Sequence, residues 1–227
     1  MQQKIIVFNS VDDAVNTLKN FASNFKFPYI KYSREKIINK SVEYNIFRAF
    51  RNLNDRPSQI YRTWASDNFD SILSDFENVN SKEGYYLFAF KYADSLIKQW
   101  ALKTLKPDNY LMYGPALKMI NLFIKTTQQS FDFRKDEKTK YQQVPFDSFS
   151  LIPLRSIINN LTGLEYKITI PNNATMGFIN TQQIYRIIMD AVYDLCLIAN
   201  ISPIIYDFWC WEDKHIYNPK PNTGRYV

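Results

Sequence analysis

An all-α fold is predicted by three observations. Segment after segment places its apolar residues three and four positions apart, the spacing that lines one face of a helix. Ser, Thr and Asp stand where such segments begin, and Pro or Gly where they end. Strand-like alternation is confined to Lys167 to Pro171, too brief and isolated for more than a very short strand pair.

Taken in order, Asp12 or Asp13 caps a first helix whose Val15, Leu18, Phe21, Ala22 and Phe25 share a face, with Pro28 beyond its end. After a connector from Phe27 to Tyr32, a second helix is predicted from Ser33 to about Leu53. Its stripe is Ile37, Ile38, Val42, Ile46, Phe47, Phe50 and Leu53, and Asn54-Asp55-Arg56-Pro57 ends it. Ser58 to Phe76, with Ile60, Trp64, Phe69, Ile72 and Leu73, reads as one or two shorter helices. Ser81 opens an apolar helix, Tyr85 to Leu105, closed by Pro107. Asp108 can cap the next, where Pro115 suits a first turn before Leu117, Ile120, Leu122, Phe123 and Ile124, and which ends near Ser130.

Asp132 to Gln143 is the most charged stretch and reads as a solvated loop. Beyond Val144-Pro145-Phe146-Asp147 another helix is predicted to run to about Leu161, before Gly163. Thr181 caps a helix to about Ala199, and Ser202-Pro203 starts a last one through Trp211, followed by a polar tail. No repeat or low-complexity tract is present. The 227 residues suffice for one domain, or for two helical lobes around a cleft: about 30–130, and the N-terminal helix with 144–227.

Composition removes many chemistries. With one histidine, His215, zinc sites rich in His and paired-His nucleases are excluded, and a Ser-His-Asp hydrolase has only that residue to use. His215 itself reads as a surface residue of the polar terminus. Two cysteines cannot build a four-cysteine cluster; Cys196 and Cys210 lie in apolar surroundings and read as reduced core thiols. There is no Gly-x-Ser-x-Gly elbow, Walker loop or dinucleotide fingerprint, and only five glycines to cradle phosphate. Neither a signal peptide nor a span of 18 apolar residues is present, so a cytoplasmic location is expected. Lys and Arg number 28 against 22 Asp and Glu, a net charge of +6 that suits a polyanionic partner.

The segment Tyr113-Gly114-Pro115-Ala116-Leu117-Lys118-Met119-Ile120-Asn121-Leu122-Phe123, followed by Val144-Pro145-Phe146-Asp147-Ser148-Phe149, carries the chemistry. Lys118 lies in the first turns of its helix, where the positive dipole end disfavours an ammonium and so favours a nucleophilic amine. Such an amine can attack C1′ of a nucleotide and form a Schiff base. Asp147 sits where a helix N-terminus stabilises a carboxylate, able to steady positive charge developing on a sugar and to accept a proton. Each residue alone has an ordinary alternative, a solvated lysine and a helix N-cap.

This region, roughly residues 108 to 160, resembles the catalytic part of helix-hairpin-helix (HhH-GPD) DNA glycosylases, in a divergent form of the 8-oxoguanine glycosylase kind. In that superfamily a Gly-containing turn opens a helix with a lysine near its start, and a V-P-x-D segment follows whose aspartate begins the next helix. Two features depart from the family. Leu111-Met112-Tyr113-Gly114-Pro115 stands where the hairpin usually reads L-P-G-V/I-G, and Lys118 and Asp147 are 29 residues apart, longer than in most members; the charged loop can absorb the excess.

The resemblance implies a two-lobed all-α fold and a base-excising enzyme that cleaves an N-glycosidic bond, with Lys118 and Asp147 catalytic and no metal or cofactor required. Its partner would be double-stranded DNA bearing a modified base, bound by a monomer away from any membrane. The base would be an oxidised purine, or a hypermodified base such as glucosylated hydroxymethylcytosine in phage DNA, which would make the role antiviral defence rather than repair. Glycosylases extrude their target base and read it by stacking and edge hydrogen bonds. Trp64, Phe149, Tyr206, Phe208, Trp209 and Trp211 are the candidate base-pocket rings, against the plain alternative of core packing. Gly114, Lys125, Arg134, Lys138, Lys140 and Arg155 are the candidates for holding the DNA backbone. Two other readings are a non-catalytic helical nucleic-acid-binding module and a helical interaction protein whose positive charge is incidental.

Overall fold

The computed structural model describes residues 7–43, 55–104, 110–130, 140–161 and 167–217, with side chains up to Trp211. Among the described residues there are eight α-helices and no strand: α1 (Val11–Asn24), α2 (Arg34–Lys40), α3 (Pro57–Glu77), α4 (Lys82–Ala101), α5 (Tyr113–Ser130), α6 (Ser148–Leu151), α7 (Gln182–Ala199) and α8 (Pro203–Tyr217). The all-helical prediction holds. No single helix among them is long and apolar enough to cross a membrane.

Several helix starts follow a single device, a hydroxyl that accepts from the main chain three residues on. Ser33, Ser81 and Thr181 cap α2, α4 and α7 in this way. α1 corrects its prediction: Ser10 is the cap, accepting from the Asp13 N–H, while Asp12 and Asp13 occupy the first turn and Asp13 accepts in return from the Asn9 N–H at 2.9 Å. A side chain must precede the helix to reach its free N–H groups, and only Ser10 does. α3 is one unbroken helix rather than two, started by Pro57 at its first position and free of glycine or proline inside. α2 spans only its first turns of the predicted length; Val42 is buried beyond it, and Ile46, Phe47, Phe50 and Leu53 lie outside the described residues, as does Asp108.

The helix predicted from Asp147 to Leu161 is a single turn. Pro153 has no N–H to donate and its ring opposes the carbonyl four residues back, and Ile157, Ile158, Asn159 and Asn160 are poor helix formers. The chain continues instead in 3₁₀ turns at Ile152–Leu154 and Ile158–Asn160. The strand-like stretch after Lys167 finds no partner strand. The Asn159 side chain takes that place, donating to the Ile168 carbonyl and accepting from its N–H, both at 2.9 Å.

α2, α3, α4 and α5 pack on one another, α1 lies against α7 and α8, and α6 against α8; α5 also meets α7 and the turn Met176–Phe178. α5 is buried on almost every side. Trp100, Tyr61, Tyr85, Tyr86, Tyr185 and Tyr206 are the largest fully enclosed side chains of a core that runs through all these elements. Cys196 and Cys210 are buried and not disulfide-linked. α7 ends on Asn200, among the described residues the one non-glycine with positive φ (55°), and α8 leaves at 97° to α7.

Candidate active site

A helix buried on every side should be apolar all round, yet α5 carries Gly114, Lys118, Asn121, Lys125 and Gln128 within one narrow arc, three, four or seven residues apart. Most of this stripe is matched by groups from other elements. Tyr85 donates to the Asn121 side-chain Oδ1 at 3.0 Å, and the Asn121 Nδ2 donates to the Tyr185 hydroxyl at 2.7 Å. The Tyr185 hydroxyl donates onward to Gln143 at 2.9 Å.

Lys118 is enclosed, with 5% of its side chain exposed, and its Nζ donates to Asp147 Oδ2 at 3.0 Å. Asp147 is the N-cap of α6 with a full capping box: Oδ1 accepts from the Phe149 and Ser150 N–H groups at 2.8 and 3.3 Å, and the Asp147 N–H donates to the Ser150 hydroxyl at 2.8 Å. The carboxylate thus divides its work, one oxygen fixing its orientation on the main chain and the other facing the ammonium. The long-helix dipole expected at Asp147 is replaced by these two discrete donors, since α6 has only four residues. Lys118 is the sixth residue of α5, beyond the turn where the dipole acts most strongly, so its carboxylate partner dominates its surroundings.

Trp211 and Phe149 cover the pair. The Lys118 ammonium lies 5.9 Å from the Trp211 ring centroid, and the two rings are 5.9 Å apart, both partly exposed. The other candidate rings have different places. Trp64 belongs to the core, donating its indole N–H to Ser95 at 3.0 Å and packing on Tyr61 and Tyr92. Trp209 stacks on Phe8 at 4.8 Å, and Tyr206 is fully buried with its hydroxyl on the Ser150 carbonyl at 2.5 Å, which ties α8 to the turn carrying Asp147. Phe208 sits under Lys125, 4.0 Å from its Nζ, among Phe25 and Phe27.

Of the residues expected to hold a DNA backbone, Gly114 and Lys125 are spent inside the protein. The Gly114 N–H donates to the Ile179 carbonyl at 2.7 Å, and a Cβ there would lie 1.9 Å from the Met176 carbonyl oxygen. Its glycine permits a close main-chain approach and leaves no N–H for a phosphate. Lys125 pairs with Asp207 at 2.5 Å. Arg155 is half-buried and bonded to Asn172 at 2.6 Å, and Lys140 is exposed, its ammonium 5.1 Å from the Tyr141 ring. Arg134 and Lys138 lie outside the described residues, and so does the side chain of His215.

A buried charge beside the candidate site that sequence reasoning missed is Asp207. It is 0% exposed, paired through Oδ2 with Lys125, and its Oδ1 is buried with no hydrogen-bond partner. Burial pushes its carboxyl above the usual carboxylate range against the pull of Lys125; the Asp147 charge pushes the same way and the Lys118 charge opposes. Two lysines of α5 and two aspartates from α6 and α8 therefore form one interacting array. Its signal in the sequence was a lone charge within Tyr206-Asp207-Phe208-Trp209, four residues before Trp211. Among the described residues no three His, Cys, Asp or Glu side chains come together as metal ligands. No family model matches the chain, and no curated protein or solved structure matches it at a significant level.

Proposed function

We propose that the chain is a DNA glycosylase of the helix-hairpin-helix kind, with Lys118 as nucleophile and Asp147 as its electrostatic partner. The observation that carries this reading is the enclosed pair itself: an ammonium 3.0 Å from a carboxylate held by main-chain donors, beneath two rings. Burying a lysine costs several kcal/mol that packing alone would avoid, and a Schiff-base amine next to a proton acceptor is a use that repays it.

As an amine, Lys118 attacks C1′ and the bond to the departing base breaks; the proton released from the nitrogen passes by way of Asp147 to the base. Opening of the sugar ring then places the second proton on O4′ and leaves the imine. Asp147 as an anion lowers the barrier by facing the positive charge that builds on the sugar. Phe149 and Trp211 are the pair of rings suited to an extruded base, and of the candidate phosphate-holding cations Lys140 and Arg155 are the described ones near enough to solvent to meet DNA. The substrate is duplex DNA with an oxidised purine or a hypermodified base such as glucosylated hydroxymethylcytosine.

Borohydride trapping on duplexes carrying oxidised, alkylated and glucosylated bases tests the reading. The wild type is expected to give a covalent adduct on one class, and Lys118→Ala none. Release of free base that depends on Asp147 without an adduct would make the enzyme monofunctional and remove Lys118 from the chemistry. Neither product on any duplex, with salt-dependent DNA binding retained, would leave a non-catalytic binding module.

A further inference from the structure

The proposed chemistry asks two things of Lys118 and Asp147 that a lone ion pair cannot supply together. Lys118 has to be a neutral amine, and Asp147 has to be an anion. Giving the proton to Asp147 destroys the carboxylate, and giving it to solvent leaves a net negative charge inside the protein, which is costly.

The second pair resolves this. Lys125 follows Lys118 by two turns of α5, about 10 Å along the axis, and binds Asp207 Oδ2, while Asp207 Oδ1 is buried without a donor. A carboxyl oxygen that receives no hydrogen bond is the natural seat of a proton. We propose that Asp207 is the internal proton store for Lys118: the proton leaves Lys118 Nζ and is carried on Asp207 Oδ1, so that the amine is free while Asp147 stays ionised. This rests on Lys118 as the nucleophile. Charge balances throughout, since Lys118⁺, Asp147⁻, Lys125⁺ and Asp207⁻ sum to zero, and so do Asp147⁻ and Lys125⁺ once the proton has moved.

The groups around the store are consistent with it. Lys118 and Lys125 face it from α5 and Asp147 from α6, and beside it Tyr206 on α8 is held neutral by burial. Phe208 closes the Lys125 side. Asp207 acts through Lys118 and is a positioning residue.

An internal transfer has a signature that a structural ion pair lacks. Its equilibrium does not depend on solvent pH, so the fraction of free amine at Lys118 stays level where an ordinary lysine gains about tenfold per pH unit. The test needs no DNA: reductive methylation of the intact protein with formaldehyde and cyanoborohydride from pH 6 to 8, with the rate at each lysine read by peptide mass mapping. The wild-type Lys118 rate is expected to change less than about twofold over this range while exposed lysines climb about a hundredfold. In Asp207→Asn the Lys118 rate should climb like the others. Lys125→Met should do the same, because a carboxyl stripped of its cation stays protonated and the store is full. Asp207→Glu should restore the level profile. A wild-type Lys118 that climbs tenfold per unit, or is never labelled, overturns the store whether or not the variants fold, as does a level profile in Asp207→Asn. A level wild-type profile together with no trapped DNA adduct would instead remove only the glycosylase reading.

Discussion

Asp147→Asn takes away one charge and little else. The replacement retains an oxygen for the Phe149 and Ser150 N–H groups, so the α6 cap persists, but the Lys118 ammonium, 5% exposed, loses its counter-ion. Leaving half of a buried pair in place costs about 3–5 kcal/mol. Lys118→Met removes the ammonium and leaves Asp147 with its two main-chain donors, which should cost less, about 1–3 kcal/mol. The double variant has no buried charge at the site and should return to within about 1–2 kcal/mol of the wild type, because uncharged replacement of a buried pair is commonly neutral or stabilising. The assay is urea unfolding followed by circular dichroism. With a slope of about 2–3 kcal/mol/M, Asp147→Asn should lower the midpoint by roughly 1.5 M and the double variant should recover most of it. All three variants should lose the trapped adduct. Asp147→Asn within about 1 kcal/mol of the wild type, or a double variant no better than that single one, would refute the claim that the pair is a stability burden retained for chemistry.

Further outcomes follow from the same geometry. Gly114→Ala should destabilise by about 1–3 kcal/mol or more, since the added methyl meets a main-chain carbonyl that no side-chain rotation can move; a melting temperature unchanged by the substitution would disprove the close approach. Asp147→Ala should be less stable than Asp147→Asn by about 1 kcal/mol, the worth of the lost cap, and equal stability of the two in urea would show that the capping box contributes nothing. Because the buried Asp207 carboxyl lies above its unfolded range, the native state keeps a proton there that the unfolded chain has already lost. Stability should therefore fall as pH rises upward from about 4, the unfolded carboxylate range. Urea midpoints measured across pH 4 to 7 should show that decline in the wild type and a flatter line in Asp207→Asn; parallel lines would contradict it.

The helical architecture was legible because its signals are local. Ser33, Ser81 and Thr181 cap within three residues, and the apolar spacing of α3, α4 and α7 is periodic over five turns or so. What failed was of two kinds. Pro153 is local punctuation that outweighs the apolar spacing around it and cuts the helix expected from Asp147 to Leu161 to one turn. Partners distant in sequence were invisible elsewhere: nothing near Lys125 indicates that Asp207, 82 residues on, will bind it, so a lysine expected to meet phosphate is instead enclosed. Lys118 and Asp147 could be paired because their motif keeps both in one reading frame of helix, loop and cap. The rings could not be sorted by type, and only packing separates Trp211 and Phe149, at the pair, from Trp64 and Trp209, in the core.

The left-handed Asn200 sets the direction in which the chain leaves α7 for α8. Trp211 stands eight residues beyond Pro203, about 12 Å along the helix, so a rotation of about 10° at that turn would carry its ring about 2 Å, enough to uncover Lys118. A β-branched residue resists positive φ where Asn and Gly accept it. Asn200→Val would thus act at a distance, swinging Asp207 and Trp211 together out of register with α5 while touching neither. Asn200→Gly would keep the turn, so the aim of α8 toward the site depends on a residue that takes no part in its chemistry.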